Sequence, residues 1–580
     1  MNFKKYIKGA AGVALSALML TSCASDYLDT PVHGIVPADK ICDTPESARR
    51  AMLGVFGWGM SIFWTADGMY PTQTMCQGET GFSLYLGEVP GSDCYVNFIY
   101  DQAPNWVILY NMQDGYLSSG DYVWSTTYWL YSYSMLAQVN EILATIDACN
   151  VNSDEDIALR DFTKAQALTM RAHCYWRLLQ VYAPRWVDSN NGEKPTVPLR
   201  TSPEQPQDMA AAPMKDVLAQ CYKDLNDAVA LFEKTSSFRT LTYEIDKNVC
   251  YGVYARIAAL KNDWKTVRDM AHNARQGKRI ATSEEIFNGY NKYNENEWMW
   301  APSFESIDNM IYGNWCTFNC CNTYGAINDR QTLSINRDLY KLIPEGDERA
   351  NWWFTYEKLP GISPRLFYQS NAVIAETGQI KNNRIITAAK EWLASRKPAN
   401  ITGEDAYASA TTSEKSTSLL RDGAQVKFWA NGLTGEDGLS QVPYMRATEM
   451  YLYEAEACAE LGMTTDAQAL LNEINQPRNP GYNCTLSGQA LIDEVRLYRR
   501  IELWGEGYCW FDLKRWNLPM KRTAWKLNDV NSGNIPIGLS CDVPASQNKG
   551  WRYGIPYSER TYNNLITEPI PGEIVTSPVE

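Results

Sequence analysis

Acidic and basic side chains crowd an aromatic stretch near the end of the chain, at 499–516. Glu502, Glu506 and Asp512 supply carboxylates, and arginines stand on both sides of them. Paired carboxylates can do acid–base chemistry, so a catalytic centre is one interpretation. Ionic clusters are also common in structural networks, and charges beside Trp and Phe rings must be paired or hydrogen-bonded. Because no local motif of nucleophile, base and orienting group is present, we favour the structural interpretation.

A helix must position the first half of this stretch. Ser487 is a plausible N-cap, and Gly505 indicates that the helix ends or turns there. Arg499, Glu502 and Glu506 fall on one face, close enough to pair. Apolar residues recur at three- and four-residue steps and form a second face: Leu491, Val495, Tyr498 and Ile501.

Helical periodicity recurs along the chain, and two stretches predict helix pairs. One pair is joined by Asn262-Asp263 and the other by Gly462-Met463-Thr464. The second pair has about the length of a tetratricopeptide repeat, although the full consensus is absent. A chain of 580 residues could form several domains or one helical array. The predicted helices are 44–56, 122–147, 157–182, 214–234, 246–261, 264–276, 443–461 and 465–476.

Trp and Tyr are the second chemically informative residue types. The chain has 20 Trp and 35 Tyr but only 15 Phe. An apolar ring face with a polar edge suits amphipathic ligands, above all sugars, whose C–H faces stack while their hydroxyls form hydrogen bonds. These rings concentrate in 56–133 and 298–324, where no helical or strand period runs throughout. They either pack an irregular lobe or bind a ligand, and for the clusters as groups we favour binding.

The first 22 residues have the features of a secretory signal peptide. Lys4, Lys5 and Lys8 precede a short apolar run that is too short to span a membrane. Cys23 follows Leu-Thr-Ser, which predicts an acylated first residue; the alternative is ordinary cleavage nearby and an unmodified Cys. The formal charge is −14, or −17 without the leader, which argues against nucleic acid as a partner.

The stretch 499–516 resembles the C-terminal signature of the SusD/RagB family of outer-membrane lipoproteins. Trp504 and Cys509 depart from it, where a smaller residue and a basic one are usual. The segment after Cys23 and the stretch from Ile555 to Leu565 also resemble the family. The matching signature positions are Arg499, Arg500, Glu502, Leu503, Glu506, Gly507, Phe511, Asp512, Leu513, Arg515 and Trp516.

The resemblance implies a mostly α fold, in which tetratricopeptide-like helix pairs pack against an irregular, loop-rich, ligand-binding lobe. We expect a single domain over 23–580, with the helix scaffold mainly at 122–277 and 443–516. The lobe is then mainly 57–121 and 288–442. Arg500, Glu502, Glu506, Asp512, Arg515 and Trp516 are expected to be structural.

The resemblance also implies a function without catalysis. We expect a lipid-anchored protein on the extracellular face of the outer membrane, which delivers oligosaccharides to a SusC-like TonB-dependent transporter. No cofactor, metal or nucleic acid is expected. A peptide-binding, RagB-like protein is the alternative within the same fold, and a secreted helical glycosidase is a third hypothesis from another class.

In this family the ligand groove is built from loops after the first helix and after the third helix pair, here 60–115 and 288–324. We chose residues in these loops by location and chemistry, since no motif carries them over one by one. Hydroxyl partners are expected at Asn97, Asp101 and Asn314. Stacking rings are expected at Trp64, Tyr95, Tyr100, Trp106, Trp300, Tyr312 and Trp315.

Overall fold

The fold was analysed in a computed structural model. It describes residues 41–61, 78–96, 123–304, 315–321, 333–359, 422–430, 440–526, 540–545 and 552–567, with isolated positions at 391–398 and 529–535. Cys23 and the leader 1–22 lie outside the described residues. Within them, no helix is both long enough and apolar enough to cross a membrane.

The described chain is mostly helical, as expected. The long helices lie close to where the periodicity predicts them, because caps and apolar faces are local signals. Thr44 and Ser47 form a capping box at the start of the helix Pro45–Phe56, and the Ser153 hydroxyl caps the helix Asp154–Tyr182. The helices are α1 (Pro45–Phe56), α2 (Gly78–Phe82), α3 (Val123–Thr145), α4 (Asp154–Tyr182), α5 (Met214–Phe232), α6 (Lys247–Leu260), α7 (Trp264–Ala274), α8 (Ser283–Phe287), α9 (Trp315–Asn319), α10 (Arg337–Tyr340), α11 (Ala447–Glu460), α12 (Thr464–Asn475), α13 (Gly488–Glu502), α14 (Cys509–Trp516) and α15 (Tyr557–Tyr562).

The helices pack against one another in an array. α4 packs against α1, α3 and α5, while α6 pairs with α7 and α11 pairs with α12. α11 also packs on α7 and α13, so the two predicted pairs are neighbours in one array. The shared core between these helices is apolar, and it forms the frame on which the shorter elements rest.

Strands are short and connect distant parts of the chain. Strands β1 (Cys94–Val96), β6 (Leu333–Ile335), β8 (Ala424–Gln425) and β7 (Trp353–Phe354) form one antiparallel sheet in that order. Strand β4 (Trp298–Trp300) pairs with β10 (Met445–Arg446). The predicted helix at 443–461 therefore starts late, because 445–446 pairs with β4 instead. The strands are β1 (Cys94–Val96), β2 (Pro195–Val197), β3 (Ala212–Pro213), β4 (Trp298–Trp300), β5 (Ser303–Phe304), β6 (Leu333–Ile335), β7 (Trp353–Phe354), β8 (Ala424–Gln425), β9 (Ser440–Gln441), β10 (Met445–Arg446), β11 (Met520–Arg522) and β12 (Cys541–Val543).

The turns within the two helix pairs have the same conformation. Asn262 after α6 and Gly462 after α11 both have left-handed backbones, with φ of 57° and 74°. In each turn the left-handed residue donates its N–H to a carbonyl three residues back, Ala259 at 3.2 Å and Ala459 at 3.1 Å. This is a helix C-terminal turn that favours Gly or Asn. The repeat is therefore visible in the backbone although the turn sequences differ.

We predict that Gly462→Ala lowers the free energy of unfolding by about 1 kcal/mol, because a side chain at positive φ is strained. An added methyl would meet no atom within 4 Å, so the loss would come from the backbone and not from a clash. Asn262→Gly is the matched control and should change stability little. Urea unfolding measures both, and equal stability of Gly462→Ala and the parent chain would contradict this account.

Candidate ligand-binding site

A buried ionic cluster surrounds the end of α13. Arg446 in β10 donates through Nε to Glu506 Oε2 at 2.8 Å and through Nη1 to Glu297 Oε1 at 2.8 Å. Its Nη1 also reaches Glu502 Oε1 at 3.3 Å. Lys427 donates to Glu506 Oε1 at 2.7 Å and to the carbonyls of Glu502 and Trp504. All five of these charged side chains are at most 9 % exposed, so water does not replace the partners.

Glu502 is the centre of this cluster. Burial by itself opposes ionisation of the carboxyl, but Arg478, Arg446 and Arg349 together hold its pKa well below the ordinary value. Arg349 is in turn fixed by two hydrogen bonds to Asp347, at 2.9 and 2.7 Å. Because each of these carboxylates has a cation as its partner, the cluster binds distant segments of the chain together.

The second half of the signature stretch forms a separate buried chain of ion pairs. Asp512 accepts from Arg499 and Arg515, both at 2.7 Å. Arg515 then binds Glu456 of α11 through both Nη atoms, at 2.7 and 2.6 Å, and Trp516 donates its indole N–H to the same carboxylate. A bidentate guanidinium–carboxylate pair fixes orientation as well as distance, so α14 is held against α11.

The two residues that depart from the family pattern lie where α13 and α14 meet 83–93. Arg500 binds Asp93 through Nε at 2.9 Å, and the Trp504 indole N–H donates to the Asp93 carbonyl at 2.9 Å. A Cβ added to Gly91 would stand 2.3 Å from Cys509 Sγ, so there is no space there for a long basic side chain. Asp93 directly precedes β1, and the signature stretch therefore anchors the first predicted ligand loop at this point within it.

Glu88 is a buried carboxyl group in this junction that takes no part in the salt bridges of the ionic cluster. It is 1 % exposed and accepts from the Gly507 N–H at 3.1 Å. Burial raises its pKa to about 8, from an ordinary value of 4.5, with Asp93 as a further cause. The folded protein therefore holds Glu88 in its neutral form at pH 7.

An open depression of about 690 Å³ lies beside the ionic cluster, along the second predicted ligand loop. Its floor is aromatic: the buried rings of Tyr290 and Trp298 lie 5.4 Å apart, at 60°. The Tyr290 hydroxyl donates to Glu297 Oε2 at 3.1 Å, and Arg446 binds the other oxygen of that carboxylate. The lining residues are Ala281, Glu285, Asn288, Tyr290, Asn291, Lys292, Tyr293, Asn294, Glu295, Asn296 and Trp298.

Tyr293 and the asparagine amides give this depression its chemistry. Four asparagines stand among residues 288–296, and Asn288 and Asn296 are exposed. The half-buried Tyr293 ring lies 6.3 Å from that of Trp298, at 80°, and its backbone N–H donates to Gln441 Oε1 at 2.6 Å. A partly exposed ring on a fixed backbone, with amides that donate and accept, can stack a sugar and bind its hydroxyls.

The predictions that Trp300 and Trp315 are stacking rings are wrong. Trp300 is 0 % exposed, donates its indole N–H to the Tyr243 carbonyl at 2.7 Å and packs edge-on against Tyr444. Trp315 is 2 % exposed and packs edge-on against Phe428 at 5.0 Å. Both rings are core residues, because the short elements that carry them cover the helix array and not the outer face.

The other expected site residues are not placed by the structure. Tyr95 lies in β1 opposite Ser334, but its side chain is outside the description. The remaining residues lie outside the described ranges: Trp64, Asn97, Tyr100, Asp101, Trp106, Tyr312 and Asn314. Tyr293 was missed, although the run of Asn and Tyr at 288–296 was a visible signal inside the loop range that we had selected.

We predict that Glu88→Gln stabilises the protein at neutral and higher pH. The raised pKa means that the neutral carboxyl contributes stability that is fully present below pH 4.5 and is lost as the pH rises to about 8. An amide does not ionise, so the gain should be absent at pH 4 and reach about 3–5 kcal/mol at pH 8.

The exposed Glu345→Gln is the control, and should show no such pH dependence. Thermal unfolding of both variants and the parent chain at pH 4, 6 and 8 measures the effect. A gain for Glu88→Gln that is the same at all three values would contradict a neutral buried carboxyl.

Comparison with known proteins agrees with this architecture. The model of the SusD family matches residues 271–568, slightly more than half of the chain. A second family model, described as "Starch-binding associating with outer membrane", matches residues 77–258. No curated protein matches the sequence.

Solved structures with the same fold cover most of the chain. A SusD-like carbohydrate-binding protein from Bacteroides vulgatus has a TM-score of 0.66 and 21 % identity, over 90 % of this chain and 97 % of its own. A SusD superfamily protein from Bacteroides thetaiotaomicron has a TM-score of 0.63 and 18 % identity, over 90 % of this chain and 99 % of its own. On the family match, this chain belongs to the SusD family.

Proposed function

We propose that this protein binds oligosaccharides in the depression lined by residues 288–298. The Tyr293 ring and the amides around it carry the proposal, because they offer one stacking face and several donors and acceptors within an open space of sugar-binding size. A carbohydrate-binding protein of the same fold and a family model described as starch-binding support this ligand class.

The depression is preorganised, which favours binding of a weakly held ligand. Tyr290 is fixed through Glu297 and Arg446, and the strand that carries Trp298 pairs with β10. Gln441 holds the backbone on both sides of Lys292, through the Asn291 carbonyl and the Tyr293 N–H. Little of the wall has to be ordered when a ligand arrives.

Binding without catalysis fits the charges of the described lining. Glu285 is engaged with Arg279 through both oxygens, at 2.7 and 2.8 Å. Glu295 is the other carboxylate of the lining and lies exposed at its edge. A glycosidase needs two carboxylates opposed across the scissile bond, and one of the two carboxylates described in this lining is taken up by Arg279.

The cellular role in this proposal rests on the family and on the leader. The protein would be acylated at Cys23, lie on the outer face of the outer membrane and pass its ligand to a SusC-like TonB-dependent transporter. The family model that names the outer membrane supports this location. Trp64, Tyr95, Asn97, Tyr100, Asp101, Trp106, Tyr312 and Asn314 stay predictions for a second wall of the groove.

We predict that Tyr293→Ala weakens binding of the preferred glycan about 5- to 30-fold, or ~1–2 kcal/mol, through loss of the stacking face. Tyr293→Phe keeps the ring and should retain most of the affinity. Isothermal titration against neutral and acidic oligosaccharides and a peptide mixture measures the effect, after the ligand has been selected on a glycan array.

Tyr557→Ala removes an exposed ring elsewhere and serves as the control. Binding of peptides but of no glycan would favour the RagB-like alternative. Release of reducing sugar from a bound glycan would support the glycosidase hypothesis instead. Glycan binding that is equal in Tyr293→Ala and the parent chain would move the site away from this depression.

A further inference from the structure

Lys514 of α14 is a buried amine that has no carboxylate as its partner. In the described part of the chain two lysines are buried, Lys427 at 2 % exposure and Lys514 at 5 %. Lys427 pairs with the Glu506 carboxylate at 2.7 Å. Lys514 forms no salt bridge with a described residue, and its Nζ donates to the main-chain carbonyls of Gln180 at 2.6 Å and Ala183 at 2.7 Å. A charge buried in this way is costly unless another group offsets it.

The end of α4 offsets part of that charge. Gln180 lies in the last turn of this helix and Ala183 directly follows it, so a cation here faces the negative end of the helix dipole. That end carries about half of an elementary charge. An ammonium also has three N–H groups, and the two carbonyls take two of them. One N–H and part of the charge are left without a partner among the described residues.

A small cavity of about 20 Å³ adjoins Lys514. About 10–15 Å³ is enough for one water molecule, so the cavity holds one particle of that size or slightly larger. The charged residues that line it are all basic: Lys514, Arg185 and Arg515. Much of the remaining wall is apolar, from Leu179, Trp186, Met214, Leu260 and Phe511.

The surroundings of this cavity are electropositive. Burial lowers the pKa of Lys514 well below its ordinary value, and Arg552 and Arg185 are close enough to lower it further. Asp188 acts in the opposite direction, but its carboxylate is already bound by Arg185 Nε at 2.6 Å. A negative charge in the cavity would therefore be attracted, and no existing ion pair would have to break.

We propose that this cavity binds a single halide ion, which accepts the third N–H of Lys514. A water molecule of similar size could accept the same hydrogen bond, but it would leave the positive charge uncompensated. The halide would keep Lys514 protonated and so hold α14 against the end of α4. The stability of the folded protein would then depend on chloride. The site shares no lining residue with the depression at 288–298 and is independent of glycan binding.

Anomalous diffraction locates such an ion directly. Crystals of the parent protein soaked in sodium bromide should show a bromide peak within hydrogen-bond distance of Lys514 Nζ. This measurement needs no variant, so it does not depend on how well a substituted chain folds.

Thermal unfolding measures the effect of chloride in solution. Sodium methanesulfonate keeps the ionic strength constant, and its anion is too large for the cavity. Replacement of about 200 mM methanesulfonate by chloride should raise the melting temperature of the parent protein by about 1–3 °C, because a ligand that binds only the folded state stabilises it. Bromide should act like chloride.

Lys514→Met keeps the stem of the side chain but removes the ammonium, and should abolish both the chloride effect and the bromide peak. Because this change also removes two hydrogen bonds to α4, Arg185→Met is a second variant that leaves Lys514 in place. It should weaken chloride binding about 3- to 10-fold, since Asp188 then repels the anion. Lys223→Met removes an exposed lysine of α5 and is the control, which should keep the response of the parent protein.

The proposal would be overturned if no bromide peak lay at Lys514, or if the parent protein melted at the same temperature in the two salts. A bromide peak without a chloride effect on melting would mean binding at crystal concentration only, and would also overturn it. A chloride effect that survives in Lys514→Met would place the halide elsewhere and contradict this site. Tyr293→Ala should keep the parent response, so this site can fail while the glycan site holds, and the reverse.

Discussion

The ion pairs of Arg446 with Glu297, Glu502 and Glu506 are the interaction on which the described structure depends. One guanidinium contacts carboxylates from two segments that lie about 200 residues apart in sequence. Removal of one partner of such a buried pair leaves an uncompensated charge and typically costs 3–5 kcal/mol. The cluster therefore fixes the position of β4 relative to α13 more strictly than apolar packing alone would.

The same stretch of chain anchors both loops that were expected to bind ligand. Arg500 and Trp504 hold Asp93 at the start of β1, and Glu502 and Glu506 hold Arg446, which binds Glu297 just before β4. The carboxylates of the signature stretch are thus positioning groups for the walls of a site. They are engaged by arginines and a lysine, which agrees with the structural interpretation of their spacing.

Helices could be predicted from the sequence because their signals are local. Ser153, Asp246 and Thr44 cap helices close to the positions that periodicity indicates. Strands could not be predicted in the same way, since β10 forms only by pairing with β4, about 150 residues earlier. The helix expected from 443 begins at Ala447 for this reason, and Arg446 gains an extended backbone that directs it into the cluster.

The candidate site shows where residue chemistry misleads. Trp300 and Tyr293 stand seven residues apart in one aromatic loop, and only Trp300 was among the expected stacking rings. Trp300 is instead buried in a strand that pairs with β10, and its indole N–H is hydrogen-bonded to the Tyr243 carbonyl. The smaller Tyr293 ring remains partly exposed. The burial of Trp300 depends on the pairing of β4 with β10, and this pairing cannot be predicted from the residues near Trp300.

The anchors at Asp93 and Glu297 also bear on how the ligand specificity of such a protein could change. Each anchor binds one residue of a predicted ligand loop to the frame: Asp93 to Arg500 and Trp504, and Glu297 to Arg446. The chain beyond an anchor can then be exchanged while its point of attachment stays the same. A loop graft that keeps these two acids with Arg446 and Arg500 would leave the helix array unchanged. New ligand specificity would then not require a new scaffold.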